Sequence, residues 1–251
     1  MQLTVIGSGD AFGSGGRLQT CFHVAAGETE FLIDCGATAT IGFNGLGLDP
    51  NRVATIFITH LHGDHYAGLV WWMLHAEHVA RRTVPLAVVG PPGIAERYRQ
   101  VAEALFPGSS TREHRFALKF HEITAGEPQV FGGVQVTAYP VSHPSGAPSH
   151  ALRFVCAGKV LGFSGDTEWV EALVEVAADA DLYISECFAY DRPTPYHMVW
   201  CGADNSIEAN LPRITANRIL LTHMSTPMLE QAGEVASERV MISEDGMVLQ
   251  L

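Results

Sequence analysis

The sequence predicts an α/β (α+β) fold in which two β-sheets pack face to face and helices cover their outer sides. Apolar, β-branched segments typical of strands occur in runs, and segments with helical periodicity separate those runs. No repeat, low-complexity segment or linker divides the chain, so a single domain over residues 1–251 is expected. Hydrophobic residues make up 47% of the chain and charged residues 17%, a composition that supports a large folded core.

The N-terminal half is predicted to begin with strands and then to alternate strands with helices. A short helix is expected after Asp34-Cys35-Gly36, where the third strand ends. Pro91-Pro92-Gly93 separates a later strand from the helix that follows it, because proline and glycine interrupt regular structure. Strands are predicted over 3–6, 21–24, 31–33, 54–58 and 86–89, and helices over 66–79 and 94–105.

The C-terminal half is predicted to be richer in strands. An Ala157-Gly158-Lys159 turn joins two of them as a hairpin, and residues 187–202 are expected to form a loop because they contain proline and glycine. Residues 239–242 and 247–251 are predicted to pair with each other as a final hairpin. Further strands are predicted over 114–124, 134–141, 150–156, 160–164, 182–185 and 218–221, and helices over 168–178 and near 204–214.

Net charge and cysteine content narrow the function classes. The formal charge is −12, from 15 basic and 27 acidic residues, and this disfavours extended nucleic-acid binding. Five cysteines without a C-x-x-C pair favour reduced, mostly buried thiols in a cytoplasmic protein. The N-terminus shows no signal-peptide pattern, and no apolar run approaches the length of a membrane span, so no membrane partner is expected.

Residues 7–17 form a glycine-rich loop after the first strand. A phosphate-binding loop would end in Gly-Lys-Ser/Thr, and a dinucleotide fingerprint should open a helix, but neither feature follows here. A flexible connecting loop is therefore favoured over a nucleotide cradle. A third alternative is a mobile wall of an active site, to which backbone amides and Arg17 would contribute.

The segment Thr59-His60-Leu61-His62-Gly63-Asp64-His65 carries the strongest functional signal. It follows a buried strand and places three imidazoles and a carboxylate within six residues. Neutral imidazole and carboxylate are normal ligands of divalent metals. His60 and His62 point the same way in extended chain, whereas Asp64 and His65 lie where a helix begins, so two adjacent metals are favoured over one.

Three more ligand-type residues follow apolar strands later in the chain. His143, Asp166 and His223 each come directly after such a strand. One histidine in this position is usually a packing or surface residue, but functional residues gather where strands meet loops. Together with the 60–65 segment, the three residues predict one shared metal centre.

His60-x-His62-x-Asp64-His65 followed by His143, Asp166 and His223 resembles the metallo-β-lactamase superfamily over nearly the whole chain. The resemblance implies a four-layer αββα metallo-β-lactamase sandwich with two divalent ions at the sheet edges. It assigns His60, His62 and His143 to one ion and Asp64, His65 and His223 to the other, with Asp166 bridging them. Asp34 matches an acidic residue that supports a ligand histidine, and a helix N-cap is the alternative for it.

The resemblance also suggests a branch of the superfamily. Asp166 stands where the main zinc β-lactamases carry cysteine, and Leu221-Thr222-His223-Met224-Ser225 is similar to the last motif of ribonuclease Z type enzymes. Glu186 and His197 lie where ribonuclease Z carries a catalytic glutamate–histidine pair, although Pro195-Tyr196-His197-Met198 replaces the usual Gly-His-Ser-Thr. Only 23 positions separate His143 from Asp166 (166 − 143), which leaves no room for the arm that grips tRNA in that family.

We therefore predict a dinuclear-metal-dependent hydrolase, a phosphodiesterase acting on small phosphodiester substrates with a metal-bridging hydroxide as the nucleophile. Its predicted catalytic residues are Asp64, Glu186 and His197. Zn²⁺ is favoured by the His/Asp ligands, with Mn²⁺ or Fe as alternatives. A lactone, ester or thioester hydrolase with the same metals, and a non-catalytic metal-binding protein, remain alternative functions. A homodimer is expected because such relatives are often dimers.

Overall fold

The computed structural model describes residues 1–251 and contains fourteen strands and eight α-helices. The strands are β1 (Gln2–Gly7), β2 (Cys21–Ala26), β3 (Thr29–Ile33), β4 (Val53–Phe57), β5 (Leu86–Gly90), β6 (Leu118–Glu122), β7 (Gln129–Phe131), β8 (Val134–Pro140), β9 (His150–Cys156), β10 (Lys159–Phe163), β11 (Leu182–Glu186), β12 (Ile219–Thr222), β13 (Val240–Ile242) and β14 (Val248–Gln250). The helices are α1 (Ala39–Gly45), α2 (Gly63–Tyr66), α3 (Gly68–His78), α4 (Ile94–Leu105), α5 (Ala172–Ala177), α6 (Ile207–Asn210), α7 (Thr226–Glu230) and α8 (Ala232–Val235).

The strands form two seven-stranded sheets. The order in the first sheet is β14-β1-β2-β3-β4-β5-β6, and the order in the second is β13-β12-β11-β10-β9-β8-β7. Strands β3 to β6 run parallel to one another, and so do β10 to β13. The remaining neighbours in both sheets are antiparallel. Each sheet therefore has one edge where the carboxyl ends of several parallel strands lie together.

Three buried apolar clusters define the layers. The cluster between the sheets contains residues of both, and the Phe154 ring lies 5.4 Å from that of Phe31 and 5.1 Å from that of Phe57. A second cluster lies between the first sheet and α1, α3 and α4, and includes Trp72. The third includes Tyr183 and lies between the second sheet and α5 with its neighbouring helices. This arrangement confirms the predicted four-layer αββα sandwich.

Several predicted element boundaries change in the structure. The helix predicted over 66–79 begins three residues earlier and is divided into α2 and α3 at Ala67. The strand predicted over 114–124 is limited to β6, and β7, α7 and α8 were not predicted. The helix predicted near 204–214 is the short α6, followed by a 3₁₀ turn over Leu211–Arg213, because Pro212 lacks an amide hydrogen to continue an α-helix.

The predicted C-terminal hairpin is wrong. β13 pairs in parallel with β12 in the second sheet, whereas β14 pairs antiparallel with β1 in the first. The connection between them bridges the sheets, since Ser243 N donates to Leu221 O and Gly246 N donates to Val5 O. A pattern of apolar residues locates strands but does not identify their partners, and this is why the pairing was mispredicted.

The cysteines are all free thiols, and four of the five are buried, as predicted. The longest helix, α4, has 12 residues, and no helix combines the length and hydropathy that a membrane span requires.

Candidate metal centre

The predicted ligands converge at the edge where the parallel strands of both sheets end. Residues from the first sheet and from the second sheet face one another across this edge. Asp34 follows β3, Thr59 and His60 follow β4, Asp64 and His65 lie in α2, His143 follows β8, Asp166 follows β10, Glu186 ends β11 and His223 follows β12.

One group of donors consists of His60, His62 and His143. A ligand atom of each lies within 4.8 Å of the others. The Nε2 atom of His143 is 2.9 Å from Nδ1 of His62, and the rings of His60 and His143 are 4.8 Å apart. His60 is fully buried, so its position is fixed by the surrounding core.

A second group consists of Asp64, His65, Asp166 and His223, whose ligand atoms also lie within 4.8 Å of one another. Asp64 Oδ2 lies 3.3 Å from Nε2 of His65 and 3.2 Å from Nε2 of His223. Asp166 Oδ1 lies 3.2 Å from Nε2 of His65, and its Oδ2 lies 3.8 Å from Nε2 of His60. The Asp166 carboxylate is therefore situated between the two groups.

The donor set fits divalent metal. The Nε2 atoms of His60 and His65 are fully buried but have no hydrogen-bond partner. Unpartnered buried nitrogen atoms are costly, and here they face carboxylates and other imidazoles. A cation that these atoms can ligate removes that cost and balances the buried carboxylates.

Asp34 and Thr59 determine which nitrogen atoms face the centre. Nδ1 of His65 donates to Asp34 Oδ2 at 2.7 Å, so its Nε2 is free to act as a ligand. The Thr59 hydroxyl is 2.9 Å from Asp34 Oδ2 and 3.0 Å from Nδ1 of His60. Donation from the hydroxyl to the carboxylate leaves the oxygen to accept from His60, which directs Nε2 of His60 to the centre as well. Asp34 is not a helix N-cap, since α1 begins after Thr38.

The electrostatics of the centre are dominated by paired imidazoles and carboxylates. Burial opposes protonation of His65, but the Asp166, Asp64 and Asp34 carboxylates outweigh it and raise its pKa. Burial likewise opposes protonation of His223, but Asp166 and a hydrogen bond with Asp64 raise its pKa to about 9. Burial and the neighbouring His65 lower the pKa of His60. The metal-free centre therefore retains protons that a metal must displace.

Backbone conformations at this edge are unusual. Asp34 and His223 both have φ of 57°, in the left-handed region that non-glycine residues seldom adopt. Gly165, which precedes Asp166, has φ of 58°, and a Cβ there would lie 2.9 Å from His150 O. Non-glycine residues in this conformation are strained, and their clustering here is typical of a functional site.

Glu186 and His197 form a pair beside the second group. Nδ1 of His197 lies 3.1 Å from Oε2 of Glu186, and the His197 ring stacks on His223 at 5.7 Å. Burial raises the pKa of Glu186. Burial opposes protonation of His197, but the hydrogen bond with Glu186 raises its pKa. Because Nδ1 is bound to Glu186, Nε2 of His197 is the atom available to a reacting group.

The glycine-rich loop supports the centre through its backbone. Ser8 O accepts from the amide of His223 at 3.1 Å. Asp245 holds the loop by accepting from Ser8 N and Leu18 N, both at 2.8 Å. Arg17 donates to Ser243 O and so faces the C-terminal segment. The loop is a connection, as expected, but these hydrogen bonds hold it in place beside His223, whereas the sequence predicted a flexible one.

Two supporting groups were missed by the sequence reasoning. Thr59 precedes His60 directly, and a hydroxyl next to a ligand histidine is a signal that could have been used. The carbonyl oxygen of Tyr196 accepts from Nδ1 of His143 at 3.0 Å. No sequence signal identifies it, because every residue carries a carbonyl.

Comparison with known proteins agrees with this geometry. Ribonuclease Z of Mycobacterium bovis is 27% identical over 239 residues, which cover 89% of this chain and 85% of that protein. YhfI of Bacillus subtilis, a metallo-β-lactamase fold protein, superposes with a TM-score of 0.78 at 20% identity over 99% of this chain and 98% of its own. A diphosphatase from the PhnP family superposes with a TM-score of 0.77 at 19% identity, covering 100% and 97% of the two chains.

These likenesses confirm the metallo-β-lactamase fold and the prediction of a metal-dependent hydrolase related to ribonuclease Z. The model of one family, described as "Anti-Pycsar protein Apyc1", matches residues 1–245, which is nearly the full length of the sequence. The chain belongs to the Anti-Pycsar protein Apyc1 family.

Proposed function

We propose that this protein is a dinuclear metal-dependent phosphodiesterase that acts on small phosphodiesters. The observation that carries the proposal is the convergence of two donor groups with unpartnered buried Nε2 atoms, next to the Glu186–His197 pair. A redox or purely structural metal site does not need a neighbouring imidazole such as His197, which is held by a carboxylate at one nitrogen and free at the other.

Each donor group would hold one ion. His60, His62 and His143 form the first set, Asp64, His65 and His223 form the second, and Asp166 reaches both. Imidazole and carboxylate ligands favour zinc, with manganese or iron as the alternatives. Two divalent ions, when bound there, would supply an activated water as the nucleophile and would neutralise charge on the phosphoryl oxygens.

The remaining requirement is a proton for the departing oxygen. Cleavage of an alkyl phosphodiester expels an alkoxide, which leaves poorly unless it is protonated. His197 carries a proton to higher pH than a free imidazole because Glu186 stabilises its charged form. Nε2 of His197 would deliver that proton, while Glu186 holds the ring by Nδ1. Asp64 contributes as a ligand and by pairing with His223.

A small substrate is supported by the segment between His143 and Asp166. Strands β9 and β10 and their short connections occupy it, so no arm extends from the domain at this point. The net charge of −12 would also repel a long polyanion. Both features favour a small substrate over a long RNA. RNA cleavage is the activity that the name of the ribonuclease Z relatives denotes.

A substrate panel tests the proposal. The zinc-loaded and manganese-loaded protein should hydrolyse bis(p-nitrophenyl) phosphate and a deoxydinucleotide faster than a precursor tRNA or a lactone. His197→Ala should lower kcat on the dinucleotide by about 10²–10⁴, with a smaller loss on the aryl ester, whose leaving group needs little protonation. His75→Ala, a half-buried histidine on α3, is the matched control and should have no effect.

Two outcomes would replace the proposal with another function. Rapid lactone or thioester hydrolysis, with His197→Ala unimpaired on phosphodiesters, would favour the ester hydrolase alternative. Bound metal without turnover of any ester would favour a non-catalytic metal-binding protein.

A further inference from the structure

We infer that the backbone of Tyr196 is a positioning element that joins the metal ligand His143 to the proton donor His197. This inference rests on the metal centre of the proposed function but not on the identity of the substrate. The residue acts through its main-chain conformation, and its side chain is not required.

The turn around Tyr196 is well defined. His197 N donates to Thr194 O at 3.2 Å, which closes a four-residue turn with Pro195 and Tyr196 at its centre. Tyr196 has φ of 65°. Proline at the second position and a positive φ at the third are the signature of a type II turn, in which the third residue is normally glycine or asparagine. A bulky residue is therefore strained at this position.

The strain is not explained by packing of the tyrosine ring. Tyr196 is 47% exposed, and its side chain makes no hydrogen bond. The main chain, in contrast, is engaged. Its carbonyl oxygen accepts from Nδ1 of His143 at 3.0 Å, and the next residue is His197, whose Nδ1 lies 3.1 Å from Glu186.

One turn thus determines two functional atoms. Donation from Nδ1 of His143 to the Tyr196 carbonyl leaves its Nε2 unprotonated and directed to His62, where a metal would bind. The same turn places the His197 ring 5.0 Å from the His143 ring. A change in φ of Tyr196 that is not offset by rotation about ψ of Pro195 would turn the Tyr196 carbonyl away from His143 and displace His197 from Glu186.

The experiment separates main-chain conformation from side-chain identity. Tyr196→Gly and Tyr196→Phe keep the turn accessible, whereas Tyr196→Val places a β-branched residue where φ must be positive. Ala157→Val is the matched control, because Ala157 likewise has a positive φ, of 50°. It lies in the turn between β9 and β10, at the opposite end of β9 from His150. Each variant is titrated with Zn²⁺ in equilibrium dialysis, and the pH dependence of kcat is recorded on a deoxydinucleotide, whose leaving oxygen needs a proton.

Tyr196→Gly and Tyr196→Phe should bind two zinc ions as the unmodified protein does. Tyr196→Val should weaken one of the two sites by about 10–100-fold, the usual effect of losing a partner of a ligand histidine, and should shift the limb of the pH profile that reports His197. Ala157→Val should change neither. The inference is overturned if Tyr196→Val matches the unmodified protein, or if Tyr196→Phe or Tyr196→Gly loses as much zinc as Tyr196→Val. Failure of the unmodified protein to bind zinc would instead refute the proposed function.

Discussion

Replacement of Asp34 by asparagine tests whether one buried carboxylate orients the ligand histidines. Asp34 is fully buried and accepts from Nδ1 of His65 at 2.7 Å and from the amide of Thr59 at 2.8 Å. An asparagine has one acceptor and one donor at these positions, so it satisfies only one of the two N–H groups as they stand. His65 can accept from the asparagine NH₂ only by moving its proton to Nε2, which removes the lone pair that a metal needs.

The magnitude follows from these contacts. Loss of a partner of a ligand histidine weakens metal binding by about 10–100-fold, or ~1.4–2.8 kcal/mol. The stability of the metal-free protein should change much less. In the metal-free protein His65 can move its proton, so the hydrogen bonds with His65 and with the Thr59 amide both remain. Each loses its charged partner and is weakened by ~1 kcal/mol. Burial raises the pKa of Asp34, so removing its charge also removes a desolvation penalty, and this stabilising change opposes the loss of hydrogen-bond energy.

The assay is zinc dialysis at pH 7 combined with urea unfolding of the metal-free protein. Asp181→Asn is the control, since Asp181 accepts from Lys159 and the Val160 amide at the surface, away from the centre. Thr59→Val removes the hydroxyl beside His60 but leaves the Asp34–His65 hydrogen bond, so it should affect mainly the site of His60. If Asp34→Asn bound two zinc ions with unchanged affinity, the orientation of His65 would not depend on Asp34 and the argument would fail.

Three further predictions concern protons, metal and core. Because the pKa values of His65 and His223 are raised in the metal-free protein, zinc affinity should fall as pH falls below about 9. Calorimetry of zinc binding in buffers of different ionisation enthalpy should detect the release of protons, and binding without proton release would contradict this prediction. Chelation should lower Tm, because metal at 100 times its Kd stabilises the fold by ~2.7 kcal/mol, and an unchanged melting curve would count against a metal centre. Phe154→Ala should lower the free energy of unfolding, measured in urea, by ~3–5 kcal/mol, whereas Val130→Ala, at an exposed position, should lower it by less than ~0.5 kcal/mol. Equal effects would mean that the layer between the sheets is not the main core.

The fold and the ligand set were largely predictable, for a shared physical reason. Strands buried on both faces are continuous apolar runs, and ionisable residues directly after them are rare unless they serve a site. His60, Asp166 and His223 each combine these two signals, so the sequence located both the strand ends and these donors, whereas His143 follows the alternating strand β8. The geometry then required only that the parallel strands of both sheets end at one edge.

The features that were not predictable depend on pairing and on main-chain direction. Nothing in residues 239–251 indicates that the two short strands join different sheets. Each of them could pair with any edge strand that has a matching apolar face. The positive φ of Tyr196 contradicts the preference of tyrosine, so local propensity predicts a different conformation there. Tertiary contacts decide the pairing in the first case and override the local preference in the second.

The C-terminal segment explains why such contacts matter to the centre. β13 and β14 join opposite sheets, and Asp245 between them accepts from Ser8 and Leu18 in the loop after β1. Ser8 in turn accepts from the amide of His223, whose left-handed backbone turns its imidazole towards Asp64. The last ligand is therefore positioned by a chain of contacts that includes both ends of the protein and both sheets. A donor group with members from both sheets keeps its spacing only while the sheets stay in register, and this segment connects them at the edge where the ligands lie.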